Sequence, residues 1–413
     1  MKRALFALAV GFALNAPTAF GAVTDEQVQQ LLDRIEAQDK RIAELEKASQ
    51  RPQSVAAAPT TVSTPPEAAK PAPSAWTDKV SLQGDLRYRY ETIDDHGSSG
   101  DKNRQRIRAR AAIVAKPQSN LEIGFGLSTA ENNDPISANQ TLGADGSRKS
   151  VYIDLAYFNW TALEGLNVIG GKFKDFLYRP QNYWLLWDND WNPEGLGVTY
   201  VNGPFFGNVI GTSLQSDSSS TSGSEFTLGG QLGVTPAIGD LGKLTAGVGY
   251  YSFNTRGKGT FYGTTTAFAG NSFDPLTNKY LYDYREFEAF GNFAFKLAGI
   301  PAAIFGDYVH NSAVSNFNTG WAAGAQLGLA KSKGSWQVSY AYENLQADAV
   351  FGAVTDSDFG GGGTDAKGSV IRGAYALSDN TNLAATYFAN QSDANLGTEH
   401  DYSRLQLDLN LKY

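Results

Sequence analysis

The chain has 413 residues, no cysteine and a net charge of −8, which exclude a disulfide framework, a thiolate metal site and a nucleic-acid partner. Its 44 Gly, 20 Tyr, 23 Phe and 7 Trp beside a single Met favour strands and turns over helices. Beyond the N-terminal segment, no apolar run approaches the roughly 18 residues that a membrane-spanning helix requires, so a helical membrane protein is excluded.

Residues 1–21 have the pattern of a secretory signal peptide. Lys2 and Arg3 supply the charged start, an apolar stretch runs from residue 4 to 14, and small residues at 19 and 21 suit a cleavage site after Gly21. An uncleaved membrane anchor is the alternative, but the apolar stretch is short for one and ends at Asn15. We therefore expect export to the periplasm.

Residues 22–50 predict a short helix with an apolar stripe at heptad spacing. The stripe consists of Val28, Leu31, Ile35, Ile42 and Leu45. A stripe this thin is stable only when it pairs with other helices, so we expect a homotrimeric coiled coil, with a lone surface helix as the alternative. Residues 51–75 are rich in proline and alanine and predict an extended linker.

Residues 76–413 predict an all-β fold, a transmembrane antiparallel β-barrel of about 16 strands. Along most segments apolar and polar residues alternate, most clearly at the end, where Leu405, Leu407, Leu409, Leu411 and Tyr413 alternate with polar residues. Short turns alternate with long connections at 131–148, 176–194, 255–279 and 347–366. Three predicted segments (6, 7 and 11) alternate poorly, which leaves fourteen or eighteen strands as alternatives.

A water-soluble β-sandwich or propeller is the alternative fold for this region. It would have to bury a row of four arginines away from water, which is costly. The barrel is therefore favoured, with its fifth strand near 167–176 and its tenth near 280–296.

The signal peptide, coiled coil, linker, amphipathic strands and terminal aromatic together resemble the trimeric outer-membrane porins. They are most similar to the "putative porin" families with an N-terminal coiled coil, which include relatives of the phosphate-selective porins. The resemblance implies passive diffusion of small hydrophilic solutes and ions through a barrel in outer-membrane lipid, and a homotrimer. It also implies that the barrel-assembly machinery reads the end at Tyr413, where Tyr replaces the commoner Phe.

Basic residues on the polar parity of three strands are candidates for lining the pore and setting its selectivity. They are Arg87, Arg89, Arg104, Arg106, Arg108 and Arg110 on the first two strands, and Lys172 and Lys174 on the fifth. Such a patch concentrates anions over about 8–10 Å. The alternative is a charge-balanced wet wall, because Asp85, Glu91, Glu122 and Asp154 are predicted nearby.

The connection 176–194 is the candidate constriction loop, since in the porins it resembles the third outer loop folds into the lumen. Its candidate residues are Arg179, Tyr183, Trp184, Trp187, Asp188, Asp190 and Trp191. The aromatic rings predict either a track for sugars or packing of the loop against the wall. Asp188, Asp190 and Glu194 lack the full spacing of a calcium loop, so no metal site is predicted.

We predict no enzymatic activity and no cofactor. The chain has only three histidines, His96, His310 and His400, and none lies in a catalytic motif. The alternative function is a structural tether, with the barrel as membrane anchor and the coiled coil in contact with the cell wall.

Overall fold

The computed structural model describes residues 79–97, 100–217, 223–261 and 268–413, which form one closed antiparallel β-barrel. This confirms the predicted all-β barrel. The predicted signal peptide, coiled coil and linker, residues 1–75, lie outside the described residues. In the described ranges, no helix is both long and apolar enough to cross a membrane.

Sixteen strands run alternately up and down, and each pairs with its neighbours in sequence. They are β1 (Val80–Asp95), β2 (Lys102–Gln118), β3 (Leu121–Thr129), β4 (Val151–Leu163), β5 (Leu166–Lys172), β6 (Glu194–Asn202), β7 (Phe205–Gln215), β8 (Glu225–Val234), β9 (Gly242–Phe253), β10 (Tyr284–Leu297), β11 (Ile300–Asn311), β12 (Thr319–Gly328), β13 (Trp336–Leu345), β14 (Ala366–Ser378), β15 (Thr381–Ser392) and β16 (His400–Lys412). The barrel closes where β16 pairs with β1, with Tyr88 opposite Leu409.

Connections differ in length between the two ends of the barrel. One end, the turn end, has short links such as 119–120, 164–165 and 379–380. The opposite end, the loop end, carries eight connections, named L1 (96–101), L2 (130–150), L3 (173–193), L4 (216–224), L5 (254–283), L6 (312–318), L7 (346–365) and L8 (393–399). The predicted alternation of short turns and long loops is confirmed.

Two strand boundaries differ by four residues from the sequence prediction. β5 ends at Lys172 rather than 176, because the side chain of Phe173 turns into the barrel and is buried, and Lys174 consequently belongs to L3. β10 begins at Tyr284 rather than 280, because Lys279–Tyr280 pair with Phe273–Asp274 inside L5.

The outer face of the barrel is apolar, as a surface in contact with lipid requires. Outward side chains such as Leu232, Phe125 and Leu82 are exposed on it. The terminal Tyr413 also lies on this face, where its hydroxyl donates to the Arg110 carbonyl at 2.9 Å. Its ring lies where a Cβ of Gly84 would stand, so this contact requires glycine on β1.

The interior is filled on one side by loops rather than by water. L3, L5 and L7 fold inward and form an apolar cluster with the walls of β7, β9 and β11. Its largest members are Phe173, Trp187, Tyr251, Phe253, Tyr280, Tyr284, Phe305 and Phe351. We call this part the loop-filled half. The main open cavity of the interior lies on the other side, where β13–β16, β1 and β2 supply most of its lining.

Candidate functional site

The six arginines that were candidates for the pore wall lie on β1 and β2 and face inward, and Arg404 of the adjacent β16, which was not a candidate, joins them. We call this surface the basic wall: Arg87 and Arg89 on β1, Arg104, Arg106, Arg108 and Arg110 on β2, and Arg404 on β16. In the β1–β2 hairpin Arg87 stands opposite Arg108, and Arg89 opposite Arg106. Like charges opposite each other repel, so the wall requires nearby acids.

Three carboxylates of the wall itself supply part of that charge. Asp85 accepts from Arg108 and Arg110, each at 2.8 Å. Asp408 on β16 binds the Arg89 guanidinium with both oxygens, at 2.7 and 2.8 Å. The third, Glu91, is fully buried and receives Arg404 at 2.7 Å, Arg106 at 3.6 Å and the nearby Arg104.

The remaining charge comes from loops that dock on the wall. Asp190 of L3 accepts from Arg108 at 3.2 Å and from Arg110 at 3.1 Å, and its second oxygen accepts the Ala138 amide of L2. Burial alone would raise the pKa of Asp190, but the two guanidiniums outweigh it and hold this pKa well below its usual range. L3 is thus fixed to the wall by charge.

L7 docks in the same manner at the seam between β16 and β1. Asp358 contacts Arg404 of β16 at 2.8 Å and Arg89 of β1 at 3.4 Å, and it also accepts from Gln406. Although burial opposes it, the charge of these arginines lowers the pKa of Asp358. One loop carboxylate therefore bridges the two strands that close the barrel.

Arg87 is the exception on the basic wall. Within the described ranges, it forms no ion pair, and its Nη2 donates to Asn139 Oδ1 of L2 at 2.5 Å. The two predicted lysines also differ from each other. Lys172 is bound to Glu194 at 3.0 Å, whereas Lys174 is an exposed residue of L3 rather than a strand residue.

The aromatic residues of L3 pack against the barrel wall, which is the packing alternative of the sequence analysis. Trp187 stacks on Trp191, with ring centroids 5.0 Å apart, and meets the edge of Tyr251 at 4.8 Å. Tyr183 packs on Phe305 of β11 at 5.3 Å. Trp187 and Trp191 are buried and therefore offer no face to a passing solute.

The two other polar candidates of L3 brace the loop from within. Arg179 donates to the carbonyl oxygens of Trp187 and Asp188, at 3.3 and 3.0 Å. Asp188 accepts the amide of Asp190 at 2.7 Å and the amide of Ser357 in L7 at 2.9 Å. Burial and the nearby carboxylates raise the pKa of Asp188. Its contacts join L3 to L7.

Across the interior, the loop-filled half buries carboxyl groups that have no arginine partner in the described ranges. Glu288 of β10 accepts from Gln231 at 3.0 Å and from the Tyr251 hydroxyl at 2.7 Å. Glu286 accepts the Phe351 amide of L7 at 2.7 Å. These acids hold loops and neighbouring strands by hydrogen bonds rather than by charge.

A cavity of about 400 Å³ lies between the basic wall and β14. Arg87, Arg89 and Arg108 border it on one side, and Arg372 of β14 borders it on the other. The sequence analysis missed Arg372, because it is a single arginine on a strand without a charged row. Its inward position follows from the same alternation that identified the wall.

None of the three histidines borders this cavity. His96 Nε2 lies 3.2 Å from Asp94, and His400 Nε2 lies 3.1 Å from Asp95, both at the loop end. His310 lies on the outward parity of β11. These contacts involve carboxylates and bring no nucleophile to a histidine.

Comparisons with known proteins agree with this architecture. A family described as "Putative porin" matches residues 94–282 and 284–413. OprB of Pseudomonas putida superposes with a TM-score of 0.57 at 12% identity, over 82% of this chain and 95% of that chain. Salmonella typhi OmpF in complex with daunomycin gives a TM-score of 0.49 at 12% identity, over 82% and 99%. The likeness to OprB is one of fold alone. No curated protein matches the sequence.

Proposed function

We infer the solute preference of this chain from one premise: it belongs to the "Putative porin" family and is an outer-membrane porin. Small hydrophilic solutes and ions pass through its sixteen-stranded barrel by passive diffusion. We propose that this passage favours anions. The observation that carries the proposal is that Arg87 and Arg372 border the open cavity without an ion pair in the described ranges.

Most of the basic wall does not contribute to this preference, because its charge is already neutralised. Asp358 and Asp408 also border the cavity, and both are engaged by Arg89. What remains is the positive charge of Arg87 and Arg372 in a narrow space with walls of low dielectric constant, which focuses the field on passing ions. Anions are attracted there and cations are repelled.

The inward loops also limit solute size. L3, L5 and L7 fill one side of the interior, and the cavity that remains measures about 400 Å³. Cavities of roughly 300–1,000 Å³ accommodate small organic molecules. We therefore expect small solutes of sugar size to pass and folded peptides to be excluded.

The proposal extends to the assembled protein. After removal of the signal peptide 1–21, residues 22–50 form a periplasmic coiled coil, and linker 51–75 joins it to the barrel. Three chains assemble, each with its own channel, and the barrel-assembly machinery reads the strand that ends at Tyr413. The support is the sequence pattern of each segment together with the porin family membership.

The experiment is single-channel recording of the purified full-length protein in a planar bilayer under a KCl gradient. We expect conductance steps in units of three and an anion-favouring reversal potential. An unpaired charge is worth about 1 kcal/mol at 4 Å in water, so Arg87→Gln with Arg372→Gln should reduce the chloride-to-potassium permeability ratio about fivefold or more.

Lys412→Gln is the matched control, because it removes one inward charge at the turn end from a residue that does not border the cavity. A cation-favouring wild-type pore would reject the proposed preference. Absence of conductance would instead support the tether, with the barrel as an anchor.

A further inference from the structure

We propose that the cavity between Arg87 and Arg372 is a binding site for small polyhydroxylated monocarboxylates, the chemical class of the sugar acids. The inference rests on the proposed function, because it names the solute that the anion-favouring channel holds. Three observations carry it: an arginine that packs on aromatic rings, a second arginine without an ion pair in the described ranges, and a set of polar side chains that make no hydrogen bond within the protein.

Arg372 is presented to the cavity as a flat, unpaired guanidinium. Its Cζ lies 5.3 Å from the ring centroids of both Tyr183 and Trp184, and 6.0 Å from that of Phe388. The rings stabilise the cation and restrict its orientation. A guanidinium held in one plane offers two parallel N–H groups, which match the two oxygens of a carboxylate.

Arg87 adds a second positive charge on the opposite side of the cavity. Its Nη2 donates to Asn139, but its buried Nε has no acceptor within the described ranges. Buried donors without an acceptor are uncommon in folded proteins. What Arg87 contributes to the cavity that it borders is therefore a positive charge that no ion pair in the described ranges cancels.

Uncommitted polar side chains complete the lining. Asn182, Gln337, Ser339 and Thr386 border the cavity, and in the described structure their side chains make no hydrogen bond within the protein. Amides and hydroxyls both donate and accept, as sugar hydroxyls do. The lining thus provides partners for a solute that carries hydroxyls as well as charge.

The L3 turn at the edge of the cavity is held in a strained conformation. Gln181 and Asn182 have φ of 49° and 53°, values that non-glycine residues adopt at an energetic cost. Gln181 Nε2 donates to Asn292 Oδ1 of β10 at 2.7 Å, which pins the turn across the interior. The position of Asn182 is therefore set before a solute arrives, which lowers the entropic cost of binding.

The charge of the cavity favours one negative group over two. Asp358 and Asp408 lie in the same lining, and as carboxylates already paired with Arg89 they offer no hydrogen-bond donor to a second anionic group. A monocarboxylate places its single charge on Arg372 and its hydroxyls elsewhere. A phosphate monoester carries up to two charges and is disfavoured.

Calorimetric titration of the purified full-length protein with sodium glucuronate, glucose and glucose 6-phosphate tests the site. We expect glucuronate to bind at least tenfold more tightly than glucose, which corresponds to about 1.4 kcal/mol. Arg372→Gln should abolish this difference, and Arg372→Lys should restore only part of it, because lysine lacks the planar fork. Lys412→Gln should bind as the wild type does.

Equal affinity for glucose and glucuronate, or unchanged glucuronate binding by Arg372→Gln, would overturn the site. Tighter binding of glucose 6-phosphate than of glucuronate would overturn the carboxylate assignment. Heat-dependent migration on gels checks that each variant is folded. If Arg372→Gln does not fold, Arg372→Lys still tests the site.

The reversal potential separates this proposal from the proposed function. An anion-favouring channel that does not bind glucuronate leaves the proposed function intact and rejects the site. Glucuronate binding to a cation-favouring channel would reject the proposed function and leave the binding site intact.

Discussion

The two sides of the barrel interior hold their contents by different forces. On the basic wall, six of the seven arginines are met by carboxylates of the wall and of L2, L3 and L7, so that strong charges are largely cancelled. In the loop-filled half, aromatic and aliphatic side chains of L3, L5 and L7 pack on β7, β9 and β11. L3 and L7 are thus attached by ion pairs on one side and by apolar burial on the other.

The contrast shows that a row of charges along a channel wall has more than one use. Asp190 and Asp358 convert most of the arginine row into an anchor for L3 and L7. The charge left for solutes comes from Arg87, at one place on that row, and from Arg372, outside it. Selectivity and anchoring are therefore carried by different arginines, and each can be altered separately.

The largest effect on stability is expected from Arg404→Gln on the basic wall. Arg404 bridges Glu91 at 2.7 Å and Asp358 at 2.8 Å, both buried. Removing one partner from a buried ion-pair network costs about 3–5 kcal/mol. Urea unfolding in lipid vesicles should show a loss of this size in the free energy of unfolding.

Arg87→Gln is the matched control for that prediction. It removes one hydrogen bond to Asn139 and leaves no carboxylate unpaired, so we expect a loss of about 1 kcal/mol or less. Equal losses in the two variants would contradict the division of the wall into anchoring and solute-facing arginines.

A more local effect is expected from Phe351→Ala in the loop-filled half. The Phe351 ring is fully buried and lies 4.9 Å from Phe253 and 5.7 Å from Tyr280, centroid to centroid. Large-to-small changes of this kind cost about 3 kcal/mol or more. Hydrogen exchange should accelerate in residues 346–365 while the β1–β2 hairpin keeps its protection.

Leu276→Ala serves as the control for this loop substitution, because Leu276 is 93% exposed in L5. It should leave exchange in L7 unchanged. If Phe351→Ala accelerated exchange in the basic wall as much as in L7, the two sides would form one cooperative unit.

The smallest effect is a pH dependence that distinguishes the two kinds of attachment. Burial raises the pKa of Asp175 in L3 and of Asp356 in L7 to about 6. Each carboxyl group contributes fully to the stability of the fold below about pH 4, and this contribution is lost as the pH rises through 6 and the buried group loses its proton. Between pH 5 and 7.5 each group should cost the loops about 1 kcal/mol.

The docking carboxylates should not respond in that range. The lowered pKa values of Asp190 and Asp358 mean that their contribution persists above about pH 4 and is lost only in stronger acid. Hydrogen exchange at pH 5 and 7.5, corrected for intrinsic rates, should show weaker protection of residues 173–193 and 346–365 at the higher pH. Asp356→Asn should reduce the difference in protection of L7 between the two pH values. If this difference is unchanged in the variant, Asp356 is not the group responsible.

The fold was predictable from sequence wherever a strand separates lipid from water. β16 and the β1–β2 hairpin alternate cleanly, and the structure pairs β1 with both β2 and β16. β7 and β11 alternate poorly because their inner residues, such as Ile210 and Val309, face apolar loops instead of water. Hydrophobicity alternates with a period of two only where one face of a strand contacts lipid and the other contacts water. Beside β7 and β11, apolar loops take the place of the water.

The site was only partly predictable, because ion pairing depends on loops that are distant in sequence. The sequence places Arg108 and Arg110 on the wall, but it does not show that Asp190, 80 residues later, returns to them. No other inward-facing residue of β14 is charged, so the sequence shows no row of charges around Arg372. Its relation to Tyr183 and Trp184 depends on how L3 folds.

The bridge that Asp358 makes across β16 and β1 bears on how the barrel forms. Contacts at this seam join residues more than 300 positions apart, as in the pairing of Arg404 with Glu91. Contacts of such separation are the slowest to form, because the chain must first be ordered between them. L7 supplies a carboxylate to both strands, so we expect the loop to enter the interior before or during closure. Docking of L7 in the interior and pairing of β16 with β1 would then occur in a single kinetic step.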